Sequence, residues 1–254
     1  YKTSDYFIDD FHPMPGVTLK NACILKFITR TRPRIFHDVL YEVSIQALLQ
    51  RGYLANLRYF DMTTIDTSRV KRNSTGRDYD EQSLFEEFSR CGLGNQLSDI
   101  VRRLLHPKNG VPRKGILVFT QFITESEQLA REVEGVAVVT GATKSKERDR
   151  ILEDFKSGKI KVLANVGVLT TGFDYPELDT VVMARPTMSL AMWYQIVGRA
   201  IRPFEGKDGW IVDLGENIKR FGKVGDLTLR EDKPGQYYIS GVVNGQYKPL
   251  TNVY

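Results

Sequence analysis

The chain has 254 residues, 41% hydrophobic and 26% charged, the usage of a soluble globular protein large enough for one α/β domain with an extension. No apolar run approaches the about 18 residues of a membrane-spanning helix, and the polar start YKTSDYFIDDF has no apolar signal-peptide core, so the expectation is a cytoplasmic protein with no membrane partner. Two cysteines, Cys23 and Cys91, argue against a disulfide scaffold, three scattered histidines offer no metal-ligand cluster, and a net charge of +5 permits a polyanionic partner without requiring one.

Residues 1–35 read as irregular, punctuated by Pro13, Pro15, Gly16 and Pro33. Residues 36–43 predict a strand, after which Ser44 is placed to cap a short helix that Gly52 ends. Residues 57–65, rich in β-branched and aromatic side chains, predict another strand. The polar loop over 67–79 carries Arg69, Lys71, Arg72 and Arg77, with Tyr79 nearby, which read as a solvated loop more readily than as a nucleic-acid contact. Helices follow over 80–90 and 93–106, divided by Gly92 and Gly94. From Gly115 the pattern is regular: short apolar strands over 116–120, 136–140, 160–164, 180–184 and 210–214 alternate with helices. Thr124 and Glu127 form a capping-box pattern for the first of these helices. Thr143 is a candidate cap for the second, with Gly158 as its stop, and the third runs to about Ile201. Such alternation predicts a mostly parallel sheet covered on both faces, with ligands beyond the carboxyl ends of its strands. In the tail, Asn244-Gly245 between strand-like runs predicts a hairpin that Tyr237, Tyr238 and Tyr247 pack.

The sharpest chemical pattern is Gln195-Ile-Val-Gly198-Arg199-Ala-Ile-Arg202-Pro203. On a continuous helix, 195, 198, 199 and 202 share one face, which then presents an amide and two guanidiniums beside a glycine. Guanidinium is planar, permanently charged and able to bind bidentately, which suits a polyphosphate. Upstream, Asn165-Val-Gly-Val-Leu-Thr170-Thr171-Gly172-Phe-Asp174-Tyr-Pro176 carries a strand into a loop. Its threonines can donate to phosphate oxygens, Gly172 lets backbone approach a ligand, and Asp174 can accept a ribose hydroxyl or orient an arginine. Taken singly, the first pattern also describes a solvated basic helix end, and the second a capped glycine turn.

Together the two resemble motifs VI and V of the superfamily 2 helicases. The resemblance extends to Gly115-Ile-Leu-Val-Phe-Thr-Gln-Phe122 as motif IV, to Val139-Thr140-Gly141 and to Arg148-x-x-x-Leu152-x-x-Phe155. Thr171–Asp174, Ala184-Arg-Pro-Thr187 and Asp213-Leu-Gly-Glu-Asn217 are most similar to the RadD-like and type III restriction-subunit-like branch. The resemblance implies an α/β, RecA-like three-layer domain with a mostly parallel sheet, the C-terminal lobe of an ATP-dependent DNA helicase or translocase. Residues 1–110 would then be an N-terminal linking extension, 111–225 the RecA-like domain and 226–254 the hairpin extension. It further implies that Arg199 and Arg202 act as arginine fingers toward ATP, with Gln195 in the same interface and Gly172 and Asp174 on the nucleotide side. Thr120, Gln121, Thr140, Gly141, Thr170 and Thr171 would follow the backbone of one strand of DNA, or of RNA. One departure is Val166, where many relatives carry threonine.

A phosphate-cradling G-x-x-x-x-G-K-[ST] loop is absent: Gly158-Lys, Gly206-Lys and Gly222-Lys all lack it. Asp80-Glu-Gln-Ser83 imitates an acidic Mg²⁺ box but follows no apolar strand, and Gly92-Leu-Gly94 imitates a dinucleotide fingerprint without its third glycine. The expectation is therefore a fragment, inactive alone, whose ATP and Mg²⁺ are held mainly by an N-terminal lobe outside this sequence. The competing reading is a nucleic-acid-binding or regulatory module with no ATPase role. The two arginines beside Gln195 favour the motor.

Overall fold

Apolar runs of four or five residues cannot satisfy their backbone alone, so they pair with one another while helices cover both faces. The computed structural model describes residues 43–76, 78–169, 174–233 and 236–251. The irregular 1–35 and nearly all of the strand expected over 36–43 lie outside them. In chain order the elements are α1 (Ile45–Gln50), β1 (Leu57–Asp61), α2 (Glu81–Cys91), α3 (Leu93–Leu105), β2 (Ile116–Thr120), α4 (Ile123–Glu132), β3 (Val136–Val139), α5 (Ser145–Lys156), β4 (Val162–Val166), β5 (Thr180–Ala184), α6 (Leu190–Ala200), β6 (Gly209–Asp213), α7 (Asn217–Phe221), β7 (Thr228–Lys233), β8 (Gln236–Val243) and β9 (Gln246–Pro249).

One compact unit spans Ala55–Ile218 and holds a six-stranded, all-parallel sheet in the order β1-β6-β5-β2-β4-β3. This is the three-layer RecA-like arrangement. Ile116, Val118, Val162, Ala164, Val182 and Ala184 turn to one face, against Leu93, Leu97 and Val101 of α3 and Leu129 of α4. The fully buried Trp193, Ile196, Val197 and Ala200 repeat at helical spacing along α6, which packs against β5 and β6. Ile196 and Val197 each contribute about 1.5–3 kcal/mol by leaving water.

The sequence placed 57–65 in a linking segment. The structure instead inserts β1 into the sheet beside β6, from Leu57 opposite Gly209 to Asp61 opposite Asp213, and packs α2 and α3 into the same core. A parallel partner contributed from a distant part of the chain leaves no local signal. Asp80 caps α2 by accepting from Ser83 N at 2.9 Å, so the imitation Mg²⁺ box is a helix start. Two other expected caps differ. α4 begins at Ile123, which puts Thr124 inside the helix and leaves its hydroxyl on Glu125. Thr143 turns back instead to accept from Thr140 N.

A second compact unit gathers Tyr1–Leu54, described from residue 43, with Lys219–Tyr254. Ser44 caps α1 through Ala47 N at 3.0 Å, as expected. The expected hairpin forms between β8 and β9 over Asn244 (φ 52°) and Gly245 (φ 75°), both left-handed as a tight hairpin turn requires. It gains a third antiparallel strand, β7, whose charged sequence shows no apolar alternation. Tyr247, expected to pack, is exposed, and the Arg230 guanidinium lies 4.2 Å above its ring.

Candidate functional site

Because the six strands are parallel, their carboxyl ends share one edge, and part of the expected nucleic-acid track lies there. Thr120 closes β2 but is wholly buried. Its hydroxyl donates to Phe122 O at 3.1 Å and bonds Ser126 Oγ at 2.8 Å. That corrects the expectation of a phosphate contact from this hydroxyl, since the side chain faces the interior. Gln121, the next residue, is half-buried. After β3, Thr140 N donates to Thr143 Oγ1 and the Thr140 hydroxyl accepts from Ala142 N at 3.2 Å. The resulting turn presents Gly141 exposed, with open space where a side chain would stand. After β4, the buried Asn165 donates to Val118 O at 2.9 Å and accepts from Leu169 N at 3.2 Å, fixing the start of the next loop. Thr170, Thr171 and Gly172 lie outside the described residues.

On the same edge the exits of β5 and β6 are sewn together. Asp213, closing β6, accepts from Gly215 N, Asn217 Nδ2 and Ile218 N at 3.0, 2.8 and 2.7 Å. Burial pushes its carboxyl upward in pKa against those three donors. Asn217 also donates to Arg185 O and accepts from Thr187 N, each at 3.0 Å. Glu216 between them adopts φ 58° and its carboxylate accepts from Thr67 N and Oγ1. Burial pulls the Arg185 guanidinium down in pKa, with Asp78 and Glu81 opposing. The sequence marked these stretches only through their resemblance; the stitching was not foreseen.

The arginines lie elsewhere, away from the carboxyl edge at which the sequence placed the ligands. α6 leaves the end of β5 and runs back toward the start of β6, so its last residues approach the amino edge. Its 11 residues separate the two ends by roughly 16 Å. Gln195 and Arg199 are half-buried on its outer side, and Gly198 meets open space there. Burial lowers the Arg199 pKa. Arg202 was expected on the same helical face, but the helix stops at Ala200. Pro203 disfavours helical backbone at the residue before it and lacks an N–H to continue. From this bend Arg202 forms an ion pair with Asp174, the arrangement in which Asp174 orients an arginine.

Lys207 enters this group unannounced. Its ammonium donates to Pro176 O at 2.9 Å and to Arg202 O at 2.8 Å. Burial, aided by Arg202 and opposed by Asp179, lowers its pKa to about 8. In the sequence Gly206-Lys207 was only a failed phosphate-loop dipeptide. Close by on the amino edge, Arg113 bonds Thr180 Oγ1 at 2.8 Å and Asp179 O at 2.7 Å and lies 4.5 Å over the Trp210 ring, anchoring that end.

Residues 96–203 match the family described as "Helicase conserved C-terminal domain". A Lactococcus phage (isolate 7-9) protein, named only by its mass of 51.5 kDa, is 29% identical over 182 residues, 70% of this chain and 38% of that protein. IRC3 of Saccharomyces cerevisiae, named provisionally as an ATP-dependent helicase, is 34% identical over 184 residues, 70% of this chain and 26% of that one. The chain thus spans 38% and 26% of the length of these relatives. Among solved structures, a fragment described provisionally as the HsdR subunit of a type I restriction enzyme from Vibrio vulnificus YJ016 has the same fold, with TM-score 0.57 and 22% identity over 79% of this chain and 40% of that one.

Proposed function

Because the chain carries the C-terminal RecA-like lobe of the superfamily 2 helicases, we propose that it is the arginine-bearing half of an ATP-driven DNA motor. Arg199 and Arg202 neutralise charge on the γ-phosphoryl group of ATP presented by the partner lobe, and Gln195 completes that surface. Gly172 is assigned to the same side from its place in the motif. Asp174 holds Arg202 in place until phosphate competes for it. The donor set fits a polyphosphate: the Arg199 guanidinium lies on a helix face opened by Gly198, and the Arg202 guanidinium lies in the bend just past that helix. Mg²⁺ is assigned with the ATP to the partner lobe as part of this reading.

At the carboxyl edge, Gln121, Thr140 and Gly141 follow one nucleic-acid strand through its phosphates, and Thr170 and Thr171 are assigned to the same strand from their place in the motif. The observation that carries the reading is the Arg202–Asp174 pair, which joins the two most specific sequence motifs at one point. α6 runs between the two edges, giving nucleotide and nucleic acid a short mechanical link.

Binding of the whole protein to single-stranded DNA tests the strand assignment. With two or three phosphates neutralised, affinity should fall about 10-fold between about 50 and about 200 mM salt. Affinity that ignores salt would remove the phosphate track, and equal or tighter salt-sensitive binding to RNA would move the substrate class from DNA to RNA.

A further inference from the structure

Lys207 stands in the turn between α6 and β6, and its side chain reaches back beneath the end of the helix. The two carbonyls it meets belong to Pro176 and Arg202, at 2.9 and 2.8 Å. Pro176 follows Asp174 by two residues, and Asp174 is the residue that pairs with the Arg202 guanidinium. The same two short segments are therefore tied twice, once between side chains and once through the lysine between main chains. We infer that Lys207 is a positioning residue for Arg202, fixing the backbone from which that guanidinium projects; this rests on the reading of Arg202 as the phosphate-facing arginine.

The geometry explains why a cation serves here. Arg202 lies just past the last helical turn, where carbonyls have no intrahelical donor, and the residue before Pro203 cannot be held by further helix. An ammonium has three donors on a compact head, enough to bridge two carbonyls from different segments. Charged donors make such bonds roughly twice as strong as neutral ones. The site is costly for a cation because it is partly dry and Arg202 repels it, while Asp179 alone among its charged neighbours favours it; Asp174 is committed to Arg202. The lysine consequently loses its proton near pH 8. Its neutral amine keeps two N–H donors but not their charge, so the clamp loosens as pH rises through that value.

The test uses the whole protein, with this lobe and its nucleotide-binding partner, and follows DNA-stimulated ATP turnover from pH 6.5 to 9.5. Lys207→Met should lower kcat about 10-fold to 100-fold, the scale of a misplaced catalytic group, with KM for ATP changed less than about twofold. Native turnover should decline through about pH 8. Lys207→Arg should restore most of kcat and lose that alkaline decline, because guanidinium stays charged. Lys207→Met combined with Arg202→Ala should be no slower than Arg202→Ala alone. Full kcat in Lys207→Met, multiplicative losses in the double variant, or the same alkaline decline in Lys207→Arg would overturn the inference. If Lys207→Met fails to fold, the comparison of native and Lys207→Arg pH profiles decides alone. If Arg202→Ala keeps native turnover, the arginine reading itself falls; if it is inactive while Lys207→Met is fully active, only the lysine inference falls.

Discussion

Asn217→Ala is the substitution whose cost follows most directly from the geometry. Asn217 is wholly buried and bridges three groups: Thr187 N, Arg185 O and Asp213 Oδ1. Alanine removes all three bonds and leaves Thr187 N and Arg185 O facing a dry gap. At about 0.5–1.5 kcal/mol for each bond, with a further penalty for each orphaned group, the loss is about 3–5 kcal/mol. For a unit of this size that corresponds to a fall of roughly 6–20 °C in Tm. Asn217→Asp supplies a control of similar shape. It keeps the acceptor for Thr187 N but sets a second carboxylate against Asp213, so it should be at least as unstable as alanine at pH 7 and should recover as pH falls toward 5, when one carboxyl takes a proton. Thermal unfolding followed by circular dichroism at both pH values reads both variants. Asn217→Ala within about 2 °C of native, or Asn217→Asp indistinguishable from native at pH 7, would show that the stitching between the β5 and β6 exits carries no stability.

Two glycines should behave oppositely. A Cβ on Gly215 would stand 2.7 Å from Pro186 N and 2.8 Å from Arg185 C and O, all backbone, so Gly215→Ala should cost about 1–3 kcal/mol or more in urea denaturation. A Cβ on Gly94 meets only the Gln128 side-chain amide, which can swing away, so Gly94→Ala should stay within about 1 kcal/mol of native; equal costs would refute the distinction. Glu87, buried on α2, accepts from Arg90 Nε and Nη2, both at 2.7 Å, and from Asp66 N at 3.0 Å. Arg90 foremost holds its carboxyl below the usual 4.5. A carboxyl so lowered stabilises the fold fully above its unfolded pKa and loses that contribution as pH falls through the folded value. The Tm advantage of native protein over Glu87→Gln, worth about 1–3 kcal/mol at pH 6, should therefore shrink as pH drops below 4.5; an advantage independent of pH would contradict the pairing.

The parallel core was legible because β2, β4 and β5 are short and mostly apolar and the helices between them are amphipathic. β1 was assigned to a linker because its partner, β6, lies some 150 residues away in sequence. Arg199, Arg202 and Asp174 were singled out because motif spacing can be read without coordinates. What the spacing did not convey was direction: a helix returning from a parallel strand carries its last residues to the opposite edge, so the arginines and the Thr140 turn separate. Thr120 failed as a surface hydroxyl for a local reason, since Ser126 on α4 and Phe122 O capture it. Asn217 and Lys207 act through partners 4 to 32 residues away, and nothing in their immediate neighbours announces either role.

In the proposed motor this lobe supplies arginines to a nucleotide site completed by another lobe. DNA-stimulated ATP turnover tests this most directly, measured for this chain alone, for the whole protein containing a nucleotide-binding lobe, and for that protein carrying Arg202→Ala. The account predicts no turnover from the chain alone, turnover from the whole protein, and a loss of about 10³-fold in the variant. Turnover by the isolated chain, or an Arg202→Ala protein as fast as the native one, would contradict it.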